Sequence, residues 1–113
     1  MPKDCSSKGC KAPIPPGLID EGFCLLHYTL QIEEECAAIR RETALGTTPH
    51  ARQVEYFRQI ADRGDILVSV ATSGFTMSDE MKARVLSTLL TLMNTRENMD
   101  RSAMRQSAMK RFA

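Results

Sequence analysis

The chain has 113 residues, 42% of them hydrophobic and 5% aromatic, which predicts one domain with a small core of aliphatic and methionine side chains. Fifteen basic residues balance 14 acidic ones, and the formal net charge of +1 excludes a strong overall attraction to nucleic acid or to an anionic membrane. The sequence opens on polar residues, without the apolar run of a signal peptide, and no stretch approaches the roughly 20 apolar residues of a membrane span. We therefore expect a cytoplasmic protein without membrane contact.

The first 28 residues contain three cysteines and a histidine in the pattern C-x4-C-x13-C-x2-H, namely Cys5, Cys10, Cys24 and His27. Two close pairs of sulfur or nitrogen ligands joined by a loop are typical of a tetrahedral zinc site. Cys24 and His27 stand one turn apart where a helical pattern begins, so both side chains can reach one ion. Residues 1–23 are too rich in turn residues to form a core alone, and we expect the metal to order them.

These four residues predict one structural Zn²⁺. Three thiolates and one imidazole fill the tetrahedron and leave no open position for a catalytic water. The fourth thiol, Cys36, lies about 18 Å further along the predicted helix, too far to bind the same ion. It is interpreted as a small core residue rather than a reactive thiol. Whether the zinc thiolates respond to oxidation stays open.

The strings from Cys5 to Cys10 and from Gly22 to Tyr28, C-S-S-K-G-C and G-F-C-L-L-H-Y, resemble the treble-clef-like zinc fingers of small bacterial and phage proteins. The resemblance covers about a quarter of the chain. It implies that the first ligand pair sits on a knuckle and the second on the first turn of a helix. It also implies that Gly9 and Gly22 are turn positions and that Tyr28 is a packing residue.

Hydrophobic periodicity predicts an all-α fold, a small bundle of about three helices at residues 24–44, 49–73 and 78–97, behind a zinc knuckle at 1–28. Thr48 followed by Pro49, and Ser78 followed by two acidic residues, are typical helix starts. In the first helix the expected inward residues are Leu25, Tyr28, Ile32, Cys36 and Ile39, and Leu26 and Leu30 are expected to widen this stripe. In the second they are Val54, Phe57, Ile60 and Ala61.

Residues 98–113 are assigned to a basic C-terminal tail outside the zinc-stabilised domain at 1–97. Residues 96–113 carry five basic residues against two acidic ones, and most such segments are solvated chain ends. Three methionines there, Met99, Met104 and Met109, are interpreted as possible contacts to a partner.

We expect a non-enzymatic zinc-binding helical adaptor or regulator, because no acid, base and nucleophile set converges in the sequence. The apolar residues between 81 and 93 form a face wider than one neighbouring helix needs, which favours another protein or a second copy as the partner. The alternative is a small nucleic-acid-binding transcriptional regulator that uses Lys3, Lys8 and Lys11 with the tail arginines. Against this alternative, Glu33, Glu34 and Glu35 would repel phosphates. The third hypothesis, for which the sequence offers least, is an enzyme or a subunit of one.

Overall fold

The computed structural model describes residues 5–112, with side chains to residue 106. Within that range the chain forms three α-helices and no β-strand, which confirms the all-α fold class. The helices are α1 (Leu25–Thr43), α2 (His50–Thr72) and α3 (Asp79–Phe112), and a short 3-10 turn (Pro16–Leu18) lies in the N-terminal knuckle. No described helix is long and apolar enough to cross a lipid bilayer.

The side-chain contacts define an up-down-up arrangement. Helix α2 runs antiparallel to α1, because contacts from α1 to α2 occur in reverse order: Glu42 with Tyr56, Glu35 with Gln59 and Arg63. Helix α3 runs parallel to α1, because their contacts rise together in number: Thr29 with Arg84, Arg40 with Thr95, Thr43 with Ser102. The long α3 makes the molecule elongated, 58 × 25 × 18 Å.

The apolar stripe of α1 lies at the centre of the core, as its spacing predicts. Tyr28 and Ile32 are fully buried, and Leu25, Cys36 and Ile39 are at most 4% exposed. Leu26 and Leu30 are 38% and 40% exposed, so the prediction that they widen the stripe is wrong: they lie beside the buried face and not on it. Opposite the buried face lie Ile60, Leu67 and Val70 of α2 and Val85, Leu92 and Met99 of α3. Residues 66–71, which are rich in β-branched side chains, belong to α2 and not to a strand.

The second helix is rotated relative to the expected inward face. Ile60 is buried and Phe57 packs against the core, but Val54 is 41% exposed and Ala61 is exposed as well. Tyr56 takes the inward position beside α1, where its hydroxyl donates a hydrogen bond to Glu42. The prediction for Val54 and Ala61 is wrong because a polar tyrosine with a carboxylate partner can occupy a core-facing position.

Two of the predicted helix boundaries have a visible cause. The Ser78 hydroxyl accepts a hydrogen bond from the backbone N–H of Met81 at 3.1 Å, so Ser78 caps α3 as predicted. At the start of α2 the Thr48 hydroxyl instead donates to the Glu42 carbonyl, and Pro49 occupies the cap position without a side-chain cap bond. Gly46, in the left-handed region at φ 68°, ends the preceding turn.

Helix α3 continues past the predicted end at residue 97 to Phe112. Met99 is 2% exposed and belongs to the core, so it is not available as a partner contact. The Ser102 hydroxyl donates to the Thr43 carbonyl at 3.1 Å and ties the extension to α1. Met104 is 72% exposed, and the side chain of Met109 lies outside the described residues. Whether residues 98–113 act separately from residues 1–97 stays a prediction.

Candidate metal centre

The four predicted ligands meet at one point in the structure. The ligand atoms of Cys5, Cys10, Cys24 and His27 all lie within 4.8 Å of one another. The Nδ1 atom of His27 is 3.3 Å from Cys5 Sγ and 3.1 Å from Cys24 Sγ, and the Cys10 and Cys24 sulfurs are 3.9 Å apart. These residues are therefore close enough to bind one metal ion.

The spacing matches the edges of a small coordination tetrahedron. Zinc–sulfur and zinc–nitrogen bonds of about 2.3 and 2.05 Å give edges of about 3.8 Å between sulfurs and about 3.6 Å between sulfur and nitrogen. The observed 3.9 Å sulfur–sulfur separation fits the first value. The sulfur–nitrogen separations are a few tenths of an ångström shorter than the second, a difference that a small side-chain rotation removes. Three sulfurs and one nitrogen form a soft donor set, which suits zinc better than magnesium or calcium.

Two glycine turns place the ligands of the knuckle. The backbone N–H of Ser6 donates to the Gly22 carbonyl at 2.7 Å, which brings the first cysteine beside the second pair. Gly22 has φ 77°, and a Cβ atom there would approach the Ser6 hydroxyl to 2.9 Å. Gly9 has φ 79° and lies directly before Cys10. Both glycines are thus turn positions in the left-handed region that other residues rarely adopt.

The second ligand pair is fixed by the beginning of α1. Cys24 is the N-cap residue in an extended conformation, and its carbonyl accepts the first helical hydrogen bond from Tyr28. His27 follows in the first turn. The helix therefore holds a sulfur and an imidazole one turn apart, in the arrangement that the x2 spacing predicts.

The thiols of the cluster do not ionise equally in the absence of a metal ion. Burial alone would raise the pKa of the Cys5 thiol, but hydrogen bonds from the backbone at Cys24 and Ser7 and from neighbouring side chains lower it below its ordinary value. Burial and the adjoining sulfurs of Cys5 and Cys10 raise the pKa of Cys24. One thiol thus ionises readily while its neighbour resists. A bound divalent ion is the species that allows all three to be thiolates together.

Cys36 is separate from the cluster, as its distance along the helix predicts. It is 2% exposed, and burial raises the pKa of its thiol. A buried thiol with a raised pKa is mostly protonated and reacts slowly. Its position on the inward stripe of α1 is consistent with a core role.

Sequence reasoning missed Arg63, which connects the knuckle to two helices. Its guanidinium forms salt bridges of 3.1 Å with Glu21 of the knuckle and with Glu35 of α1. It also lies 5.6 Å from the centre of the Tyr28 ring and donates to the Tyr28 hydroxyl. Burial opposes the charge on Glu35, yet hydrogen bonds from Arg63 and Gln59 outweigh it and lower the pKa of that carboxyl. Besides packing in the core, Tyr28 thus accepts a hydrogen bond from Arg63 and offers its ring to the guanidinium.

Nothing in the sequence around Arg63 predicted that it would contact the knuckle or α1. Glu21 and Glu35 are separated from Arg63 by 42 and 28 residues, and a single arginine in a charged helix is typical of a solvated face. These groups meet because α2 runs antiparallel beside α1 and also contacts the knuckle.

The basic residues of the knuckle and of the C-terminal segment do not lie at the same end of α1. Lys8 and Lys11 flank Cys10 in the knuckle, beside the first turn of α1. Arg101 and Arg105 line a groove with Arg40, about 24 Å further along α1. Among the described side chains, the basic residues named by the nucleic-acid hypothesis therefore form two separate groups. Lys3 and the side chain of Arg111 lie outside the described residues.

No protein-family profile, curated protein or solved structure matches the chain. The likeness to treble-clef-like fingers therefore depends on the ligand spacing, the two glycine turns and the position of the second ligand pair at a helix start.

Proposed function

We propose that this chain is a non-enzymatic, zinc-stabilised helical interaction protein, in which the knuckle binds one structural Zn²⁺ and the helices present an apolar surface to a partner. The four converging ligands support the zinc site, since their donor set is closed and soft. The rigid corner fixes the start of α1, and Arg63 links that corner to α2. The metal thereby determines how the remaining helices are displayed.

The observation that carries the interaction role is a stripe of exposed apolar side chains on α3. Leu86, Leu90 and Met93 are 63%, 58% and 58% exposed. Their spacing of four and three residues places them on one face of the helix, as in the seam of a coiled coil. The residues of α3 that bond to α1, such as Arg84 and Thr95, lie on the other side of the helix. The stripe is therefore free to contact a second helix.

Helix α2 contributes a second row beside this stripe. Val54, Ala61 and Val68 are exposed and recur every seven residues, so they lie along one side of α2. Helical geometry places this row away from the α1-facing residues of α2 such as Arg63, on the flank that adjoins α3. We infer that the two rows form one apolar strip, which suits an amphipathic helix with matching spacing.

The occupant we propose is a second copy of this chain. Its own α3 carries an apolar stripe with the required spacing, and a two-fold pairing would cover both stripes with one interface. Three exposed side chains supply less apolar surface than the roughly 800 Å² per partner of a standard interface. We therefore expect a reversible dimer with a dissociation constant in the micromolar range.

Leu90→Glu should convert the dimer to a monomer, because pairing would bury an unpaired carboxylate at the centre of the stripe. Size-exclusion chromatography with light scattering at several protein concentrations measures this directly. Leu45→Glu is the matched control, since Leu45 is 78% exposed in the loop after α1 and outside the strip. Wild-type protein that stays monomeric at every concentration, or a Leu90→Glu protein that still dimerises, would contradict the proposed partner.

A further inference from the structure

A groove between the C-terminal end of α1 and the extension of α3 gathers three arginines. Its volume is about 360 Å³, and Arg40, Arg101 and Arg105 line it together with Thr43, Asn98 and Ser102. None of the described residues that line this groove is an aspartate or a glutamate. Nor does any ion pair among the described residues include one of the three arginines. Three like charges thus share one concave site.

The site is partly ordered in advance. The Nε atom of Arg40 donates to the Thr95 hydroxyl at 3.2 Å, and that hydroxyl donates in turn to the Thr91 carbonyl at 2.7 Å. Ser102 donates to the Thr43 carbonyl and holds α3 against the end of α1. These bonds fix the guanidinium of Arg40 while leaving its two terminal nitrogens available. Arg101 and Arg105 stand one turn apart on α3 and face the same groove.

The three guanidiniums lie at one site and are exposed to solvent, so together they attract a counter-charge from solution. The C-terminal end of α1 supplies only the equivalent of about half an elementary negative charge. That partial charge does not balance three full positive ones. A compact anion with several acceptor oxygens would do so, because guanidinium groups bind phosphate oxygens in pairs.

We propose that this groove binds a phosphomonoester group. Such a group carries a charge of about −1.5 to −2 near neutral pH and three acceptor oxygens, which suits three converging guanidiniums. A nucleic-acid backbone suits the site less well, because Glu97 and Asp100 lie within four residues of Arg101 on α3 and would repel an extended run of phosphates. The groove is thus a local basic site and not part of a continuous basic track.

The test is isothermal titration calorimetry of the full chain at constant ionic strength with four probes: inorganic phosphate, a short peptide whose only charged side chain is one phosphoserine, the same peptide without the phosphate, and a 20-base-pair RNA duplex. We expect phosphate and the phosphopeptide to bind and the unphosphorylated peptide not to bind. Equal affinity for phosphate and phosphopeptide would assign a free phosphorylated molecule as the ligand. Tighter binding of the phosphopeptide would assign a phosphorylated protein. Tighter binding of the duplex than of either would overturn the proposal.

Variants separate binding from a structural role of the arginines. Arg105→Gln and Arg101→Gln should each weaken phosphate or phosphopeptide binding at least tenfold, and Arg105→Lys should weaken it less. Arg58→Gln, an equal change of charge at an exposed position on α2, should leave the affinity unchanged. If the groove variants lower the melting temperature but bind phosphate as the wild type does, the arginines only balance the end of α1 and the proposal is wrong. The same holds if Arg58→Gln weakens binding equally.

Discussion

Cys24→Ala should abolish stoichiometric metal binding and release the knuckle from the helices. Cys24 is 2% exposed and supplies both a ligand sulfur and the N-cap of α1. Structural zinc contributes on the order of 10 kcal/mol to the folding of small zinc domains. Residues 5–23 do not form a hydrophobic core of their own, so the loss of the metal removes most of the interactions that order them. Trypsin should then cleave after Lys8 and Lys11 much faster than in the wild type, as mass spectrometry of the digest would show.

Cys36→Ala is the matched control for this experiment. It makes the same chemical change at a thiol that is also 2% exposed, but on the apolar stripe of α1 and outside the metal cluster. We expect full metal content, unchanged cleavage of the knuckle and a stability loss of about 1 kcal/mol, the typical effect of a small core substitution. Loss of metal in Cys36→Ala, or its retention in Cys24→Ala, would show that the ligand assignment is wrong.

Arg63→Ala should give the second large effect, a loss of about 2 kcal/mol in the free energy of unfolding. The change leaves the Glu21 and Glu35 carboxylates and the Tyr28 hydroxyl without their shared partner. Removing one partner of a fully buried ion pair costs about 3–5 kcal/mol. The expected value is smaller here because the side chains of Arg63, Glu21 and Glu35 retain 20%, 31% and 22% exposure. Urea unfolding in the presence of saturating zinc measures it.

Arg52→Ala offers a comparison on the same helix. Arg52 also contacts two carboxylates, Glu42 and Glu55, and lies 5.0 Å from the centre of the Tyr56 ring. Its side chain is 52% exposed, and exposed ion pairs contribute at most about 1 kcal/mol. If Arg52→Ala lowered the free energy of unfolding as much as Arg63→Ala does, the partial burial of Arg63 and its partners would not explain how strongly they stabilise the fold.

The parts of the structure that the sequence predicted are those encoded by local spacing. The ligand pattern depends on residues a few positions apart and on the start of a helix, so Cys5, Cys10, Cys24 and His27 could be identified together. The stripe of α1 follows from a 3.6-residue period alone. Between residues 81 and 93 the sequence has more apolar residues than one neighbouring helix can cover, which predicted that some of them are exposed. It did not show which ones face solvent.

The parts that escaped prediction depend on long-range packing of polar groups. Thr29, Thr88 and Thr95 are fully buried between α1 and α3, where hydrophobic periodicity gives no sign of an interface. The hydroxyls of Thr29 and Thr95 accept hydrogen bonds from Arg84 and Arg40, so this seam is held by arginines that look like surface residues in the sequence. The burial of Met99 has the same origin, since the polar residues around it made the end of α3 look like a tail.

The central claim is that three sulfurs and one imidazole share one zinc ion. Metal analysis of freshly purified wild-type protein, combined with X-ray absorption at the zinc edge, tests it most directly. We predict one zinc per chain with three sulfur neighbours at about 2.3 Å and one nitrogen at about 2.0 Å. Folded protein that contains no metal, or in which these cysteines form disulfides, would contradict the account.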